Sequence, residues 1–271
     1  MRFIETGSIR ICVDVEGSGP NLLFVGGTGW DLRLQPNPLT SPLVAHFTVA
    51  LYDQRGMGQT DKPPGPYQMS DYAGDAVALM DALGWDRAHL VGYSFGGMVA
   101  QELAINFPGR FDRIVLAASA PGGAGGCSYP IEEFLDLDPE DRARRGLEIA
   151  DTRFTPAFQR QNPDLARQMV EKRMRGQTAF AKEDGALDGL RAQLAARAQH
   201  DCYDRLPRIV SDTLILAGTF DGQAEMSAQR KMAGQIARAQ FAEVAGSHSF
   251  LFESDEAYEK MIDFLSAGRN R

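Results

Sequence analysis

The chain has 271 residues, 44% hydrophobic and 24% charged, the balance of a folded globular protein with enough length for one large α/β or all-β domain. Its net charge of −8, from 28 Lys and Arg against 36 Asp and Glu, speaks against a nucleic-acid groove or a polybasic membrane surface, since both need a cationic surplus. Three cysteines (Cys12, Cys127 and Cys202) cannot all pair and lack metal-ligand spacing, so neither a disulfide framework nor a metal site is expected.

In chain order, residues 2–5 and 9–15 read as strands, the second by its alternation, before a break at Gly17-Ser18-Gly19-Pro20. Residues 22–25 are wholly apolar, as a buried central strand must be, and end in Gly26-Gly27-Thr28-Gly29-Trp30. A strand over 48–52 stops at Asp53-Gln54-Arg55-Gly56-Met57-Gly58. Helical spacing over 71–83 closes at Gly84. Strand 89–91, helix 95–107 and strand 114–117 follow. The alternation predicts a mostly parallel sheet with helices on both faces.

The alternation then lapses. Between 122 and 207 only helical stretches are predicted, over 130–137, 139–149, 163–175 and 185–200, separated by prolines and glycines. The basic run 142–145 directly follows Asp138, Glu140 and Asp141 and reads as a solvated helix face. Strand 213–217, helix 227–236, strand 240–244 and helix 255–265 complete the chain. The expected organisation is a core of 1–121 and 208–271 carrying a helical insertion, 122–207. No apolar run approaches bilayer length and the start lacks a signal-peptide pattern, so a cytoplasmic protein is expected, with no membrane partner and no cofactor.

The sharpest chemical signal is Gly92-Tyr93-Ser94-Phe95-Gly96-Gly97, between a predicted strand and a predicted helix. A serine in such a turn sits on a strained backbone, with the helix N-terminus aimed at any negative charge developing beside it. A serine needs a base, and the base an orienting acid. Of four histidines, His46 and His89 precede strands and lie at the wrong edge of the sheet, and His200 lies in the insertion. His248 follows the last strand, and Asp221 follows strand 213–217. The order Ser94, Asp221, His248 is the one this arrangement requires.

With these residues the chain resembles the α/β-hydrolase superfamily over essentially its whole length, and within it the small capped carboxylesterases and lactone hydrolases. The resemblance implies a mostly parallel eight-stranded sheet flanked by helices, with an all-helical cap at 122–207. It implies Ser94 as nucleophile, His248 as general base and Asp221 as orienting acid. The oxyanion hole would use the N–H of Phe95 and one from the loop after the third strand, assigned to Thr28 with Gly27 as the fallback. That family often has His-Gly before this donor; here Gly26 replaces the histidine, which removes one brace from the loop. Gly27, Trp30 and Tyr93 are expected at the substrate, with the Phe95 side chain lining the pocket. Arg55 belongs to a structural turn, His200-Asp201 to a polar pair joining cap and sheet, and Cys127 and Cys202 to apolar packing.

The expected activity is hydrolysis of a carboxylic ester or lactone through an acyl-enzyme. Apolar cap residues, Phe134, Leu135, Leu137, Phe154, Phe158, Met169, Met174, Phe180, Leu187 and Leu190, point to a small to medium, largely apolar substrate. The alternatives keep the triad for other chemistry (thioesterase, perhydrolase, lyase or cyclase) or make the fold a ligand-binding receptor. The partner expected is a small molecule, with a monomer or homodimer as the assembly.

Overall fold

Eight strands form a single sheet in a computed structural model that describes residues 1–267. They are β1 (Arg2–Glu5), β2 (Arg10–Glu16), β3 (Asn21–Val25), β4 (Thr48–Tyr52), β5 (Ala88–Tyr93), β6 (Phe111–Ala117), β7 (Asp212–Gly218) and β8 (Ala239–Val244). The spatial order is β1-β2-β4-β3-β5-β6-β7-β8. β1–β2 and β2–β4 pair antiparallel and all other neighbours pair parallel. The helices are α1 (Met69–Ala82), α2 (Phe95–Asn106), α3 (Pro139–Ala150), α4 (Pro156–Gln161), α5 (Pro163–Thr178), α6 (Ala186–Ala198), α7 (Met226–Gln235) and α8 (Glu256–Ser266).

Period-two alternation assigns each strand residue to one of two apolar layers. In β3, Leu23 and Val25 join the layer covered by α1, α2 and α7, with Tyr72, Leu79, Val99, Leu103 and Met232. Leu22 and Phe24 join the opposite layer, with Leu43, Phe47, Met261 and Phe264. Burial on both faces is why β3 reads as an unbroken apolar run. All residues of α2 but Asn106 are buried, its polar Gln101 and Glu102 included, which makes it the rigid support of the helix start at Ser94.

The strand after β3 in the chain, β4, lies on one side of it, and β5 lies on the other. The chain therefore reverses direction across the sheet at β3. A crevice opens where the loops leaving β3 and β5 diverge, and ligands bind at such a crevice in open α/β sheets.

No strand occurs among the described residues between β6 and β7; the segment holds α3 to α6 and short 3-10 turns. Three of its prolines start helices rather than end them. Pro139, Pro156 and Pro163 each occupy the first position of a helix, where a missing N–H costs nothing. Asp138 accepts from the N–H groups of Glu140 and Asp141, a cap worth about 1 kcal/mol. Thr155 caps α4 in the same way. Thus α4 appears where no helix was expected, and α5 runs on to Thr178. The helix expected over 130–137 is only a 3-10 turn, Ile131–Phe134.

Four cap residues, Ala143, Phe154, Ala166 and Val170, form a separate small core, with Leu147, Phe158, Met169 and Met174 packed against it. This cluster holds α3, α4 and α5 together, and Leu187, outside it, is 45% exposed. No helix among the described residues is long and apolar enough to cross a membrane.

Candidate active site

β5 is buried throughout and ends at Tyr93, one residue before the backbone turns sharply into α2. Ser94 carries the turn at φ 55°, ψ −117°, a conformation that costs a residue with a Cβ about 1–3 kcal/mol. The flanking glycines permit it. A Cβ on Gly96 would fall on the Val25 carbonyl, and one on Gly92 on the Gly96 carbonyl. The Ser94 N–H is tied to the Ala117 carbonyl at 2.9 Å, so the strain is held from both sides.

His248 lies in the loop after β8, with its imidazole Nε2 2.9 Å from Ser94 Oγ and its Nδ1 2.8 Å from Asp221 Oδ2. Its backbone is fixed twice: the N–H donates to the Ala150 carbonyl at 2.7 Å, and the Tyr93 hydroxyl donates to its carbonyl at 2.8 Å. Asp221 follows β7, and its Oδ1 accepts from the N–H groups of Gln223 and Ala224 at 2.8 and 2.9 Å. All three residues are 6% exposed. The three side chains placed together by chain order thus form one continuous hydrogen-bonded relay.

Gln223, two residues beyond Asp221, was not singled out in the sequence. Its Nε2 lies 3.0 Å from His248 Nε2, beside the Ser94 hydroxyl. With Nδ1–H given to Asp221, the Nε2 lone pair is shared between two donors, Ser94 and Gln223. The only sequence signal was proximity to Asp221; the side-chain direction is set by the turn after β7.

The loop after β3 contains Gly26 to Trp30. The brace lost with the histidine is replaced by two glutamines. Gln54 Nε2 donates to the Gly26 carbonyl at 2.9 Å, and Gln193 Oε1, from α6, accepts the Gly29 N–H at 2.8 Å. The Trp30 N–H goes to the Gly27 carbonyl, leaving Gly27 and Thr28 as the loop's free backbone donors. A Cβ on Gly27 would stand 3.4 Å from Ser94 Cβ, so this part of the loop borders the nucleophile turn. Thr28 Oγ1, Trp30 Nε1 and Gln193 Nε2 are buried and have no hydrogen-bond partner among the described residues.

Trp30 and Tyr93 stack edge to face at 6.3 Å, and Phe252 adds a third ring 6.0 Å from Trp30. Phe95 departs from expectation. Its side chain is fully buried and points into the core, 5.0 Å from Tyr72 in a T-shaped pair, so it contributes no pocket wall. As the first residue of the buried helix α2 it turns away from the crevice, and only its N–H remains beside Ser94.

Other polar groups are structural. Arg55 is held by Asp75 at 2.7 and 2.8 Å, under the α1 face. Cys202 is buried as expected and donates to Gln101 Oε1 at 3.0 Å, whereas Cys127 is exposed and fills no core. His200 does not pair with Asp201. Its Nδ1 lies 3.9 Å from Glu102 and its Nε2 3.5 Å from Cys202 Sγ, while Asp201 accepts the Tyr203 N–H. Among the described residues no group of three or more His, Cys, Asp or Glu side chains is arranged to hold a metal ion.

Burial lowers the His200 pKa from 6.5 to about 4, against a smaller upward pull from Glu102. Between those values the unfolded chain binds a proton that the folded chain refuses, so this group's contribution is intact above pH 6.5 and is lost as pH falls toward 4. The full effect is on the order of 3 kcal/mol. Urea unfolding should therefore show His200→Gln gaining on the wild-type protein as pH drops from 7 to 4.5. A difference independent of pH would refute it.

The profile of a family described as the alpha/beta hydrolase fold matches residues 20–255 of this chain. The 3-oxoadipate enol-lactonase 2 of Acinetobacter baylyi is 27% identical over 90% of this chain and 87% of its own length. The poly(3-hydroxyalkanoate) depolymerase of Ectopseudomonas oleovorans is 29% identical over 100% of this chain and 94% of its own. Among solved structures, the enol-lactonase of Burkholderia xenovorans LB400 superposes with a TM-score of 0.78 at 24% identity, covering 98% of this chain and 100% of that one. With its sheet order, its strained serine turn and a profile match across most of its length, the chain belongs to the α/β hydrolase fold family.

Proposed function

We propose that this protein, a hydrolase of the α/β fold family, cleaves a carboxylic ester or lactone through an acyl-enzyme formed on Ser94. The observation that carries the reading is the relay from Ser94 Oγ to His248 Nε2 at 2.9 Å and from His248 Nδ1 to Asp221 at 2.8 Å. His248 takes the Ser94 proton as Oγ bonds to the substrate carbonyl carbon. The carbonyl π electrons move onto oxygen, where the N–H groups of Phe95 and of Thr28 or Gly27 receive the charge. Collapse breaks the acyl–oxygen bond, and His248 returns the proton to the leaving alcohol. In a lactone that alcohol stays tethered to the acyl group. Water, deprotonated by His248, then releases the acid and restores Ser94. Residues 122–207 cap the crevice, while Trp30, Tyr93 and Phe252 offer an aromatic wall.

Fluorophosphonate treatment followed by peptide mass spectrometry should find the adduct on Ser94, and 4-nitrophenyl esters should give a burst of nitrophenol stoichiometric with enzyme. Full ester turnover with Ser94 unlabelled would overturn the reading.

The unpartnered Thr28 hydroxyl adds a specific expectation. Thr28→Val keeps shape and backbone N–H but removes one donor to the oxyanion, so kcat should fall about 10²-fold with KM little changed. An unchanged kcat would mean that backbone donors alone hold the oxyanion.

A further inference from the structure

Arg173 on α5 is an inward-facing cation that the fold leaves unmatched. Its Nε is sealed from solvent without a hydrogen-bond partner, and among the described residues no carboxylate lies within ion-pair distance of its guanidinium. The other arginines directed inward are all engaged. Arg55 is held by Asp75, Arg33 by Asp31 and Glu183, Arg205 by Glu102, and Arg197 by Ser128, the Tyr129 carbonyl and Glu132. A partly buried, unpaired charge with its Nε sealed from solvent is costly, so a chain that keeps one has left the counter-ion to come from outside.

The guanidinium is placed beside the site. It lies against Gly146 of α3, where a Cβ would stand 2.7 Å from Nε and 2.8 Å from Nη2. One turn further along the same face of α3, the Ala150 carbonyl accepts the His248 N–H. The field of Arg173 also reaches the Tyr93 hydroxyl, which donates to the His248 carbonyl. The bare Cα of Gly146 is what lets the guanidinium lie against α3.

We propose that Arg173 binds a carboxylate of the substrate, so that the ester or lactone cleaved at Ser94 carries an acyl part bearing a free carboxylate; this deepens, and rests on, the hydrolase reading above. A guanidinium matches a carboxylate through two parallel hydrogen bonds. A single uncompensated positive charge calls for a monoanion rather than a phosphate dianion. Trp30 Nε1 and Gln193 Nε2, buried donors without partners at the loop after β3, suit further acceptor atoms on the same molecule. Of the apolar residues in 122–207 that suggested a largely apolar substrate, Phe154, Phe158, Met169 and Met174 pack among themselves around Val170.

The test compares 4-nitrophenyl monoesters of four- to six-carbon dicarboxylic acids with neutral 4-nitrophenyl esters of equal length. Wild-type enzyme should prefer the charged series about tenfold or more in kcat/KM. In Arg173→Gln that preference should be lost, chiefly through KM, and Arg173→Lys should restore part of it. Because the cation has no protein partner, Arg173→Gln should melt at or above the wild-type temperature; marked destabilisation would make Arg173 a structural residue and overturn the proposal. Neutral esters cleaved as well as charged ones would overturn the carboxylate site while leaving the hydrolase intact. Phosphonate-bearing esters outrunning the carboxylates would overturn the choice of anion. If Ser94 is neither labelled nor able to turn over any ester, the hydrolase reading fails. Calorimetry with monomethyl glutarate then reads the site alone: weaker binding in Arg173→Gln supports it, and equal binding overturns it.

Discussion

Ser94→Ala is expected to lower kcat for 4-nitrophenyl esters about 10⁶-fold while leaving the melting temperature close to that of the wild-type protein. The size follows from the relay. Removing Oγ deletes the atom that forms the acyl bond and leaves His248 Nε2 with no nucleophile to deprotonate, although Asp221 still holds Nδ1 at 2.8 Å. Residual turnover then comes only from the oxyanion donors and from substrate positioning. The small effect on stability follows from the same geometry. Alanine inherits the same φ of 55°, so the strain is unchanged, and the deleted hydroxyl has His248 as its side-chain partner. A large loss of stability, or retention of more than about a hundredth of the activity, would contradict Ser94 as the nucleophile.

Asp221→Asn is expected to cost about 10⁴-fold in kcat, and the reason lies in the two oxygens of the carboxylate. Oδ1 accepts two backbone N–H bonds, from Gln223 and Ala224, and Oδ2 faces His248 Nδ1. An asparagine has one oxygen and one NH2 for these two places. Turning the NH2 toward the two N–H groups would set donors against donors, so the oxygen stays there and the NH2 faces Nδ1. His248 must then accept at Nδ1 and carry its proton on Nε2, the tautomer that cannot take the Ser94 proton. Kinetics at neutral pH measure the loss, and a crystal structure of the variant checks the amide orientation. Activity within about tenfold of wild type would mean that Asp221 does not set the tautomer.

Much of this site was legible along the chain because its determinants are local. Gly92 and Gly96 announce a strand–helix turn too tight for any Cβ, and Ser94 between them can then only be the residue on display. Asp221 and His248 were found by position, each just past a strand that period and apolarity identify. The same logic separated β3, apolar on both faces, from β2, which alternates.

Other features were hidden because they depend on direction rather than on sequence distance. Phe95 sits next to Ser94 in the chain, but helix geometry turns its side chain into the core against Tyr72. The missing histidine of the loop after β3 read as a lost brace; the replacements, Gln54 and Gln193, stand 28 and 164 residues from their partners. Gln223 lay within two residues of a predicted site residue, yet only the turn after β7 sends its amide to His248. Helices starting at Pro139 and Pro163 were legible in the sequence, whereas the six-residue α4 starting at Pro156 was too short to carry a helical period.

The sequence by itself thus determined the layered α/β core and the chain order of Ser94, Asp221 and His248, because glycine clearance and apolar period act over a few residues. Only the tertiary structure decided which groups face the crevice and which remain without a partner. Arg173 shows the difference: its charge is visible in the sequence, but being unpaired is a property of everything packed around it, of Gly146 on α3 and of the absence of a nearby carboxylate among the described residues. Pairing and its failure are long-range facts, set by packing that brings distant segments to within a few ångströms.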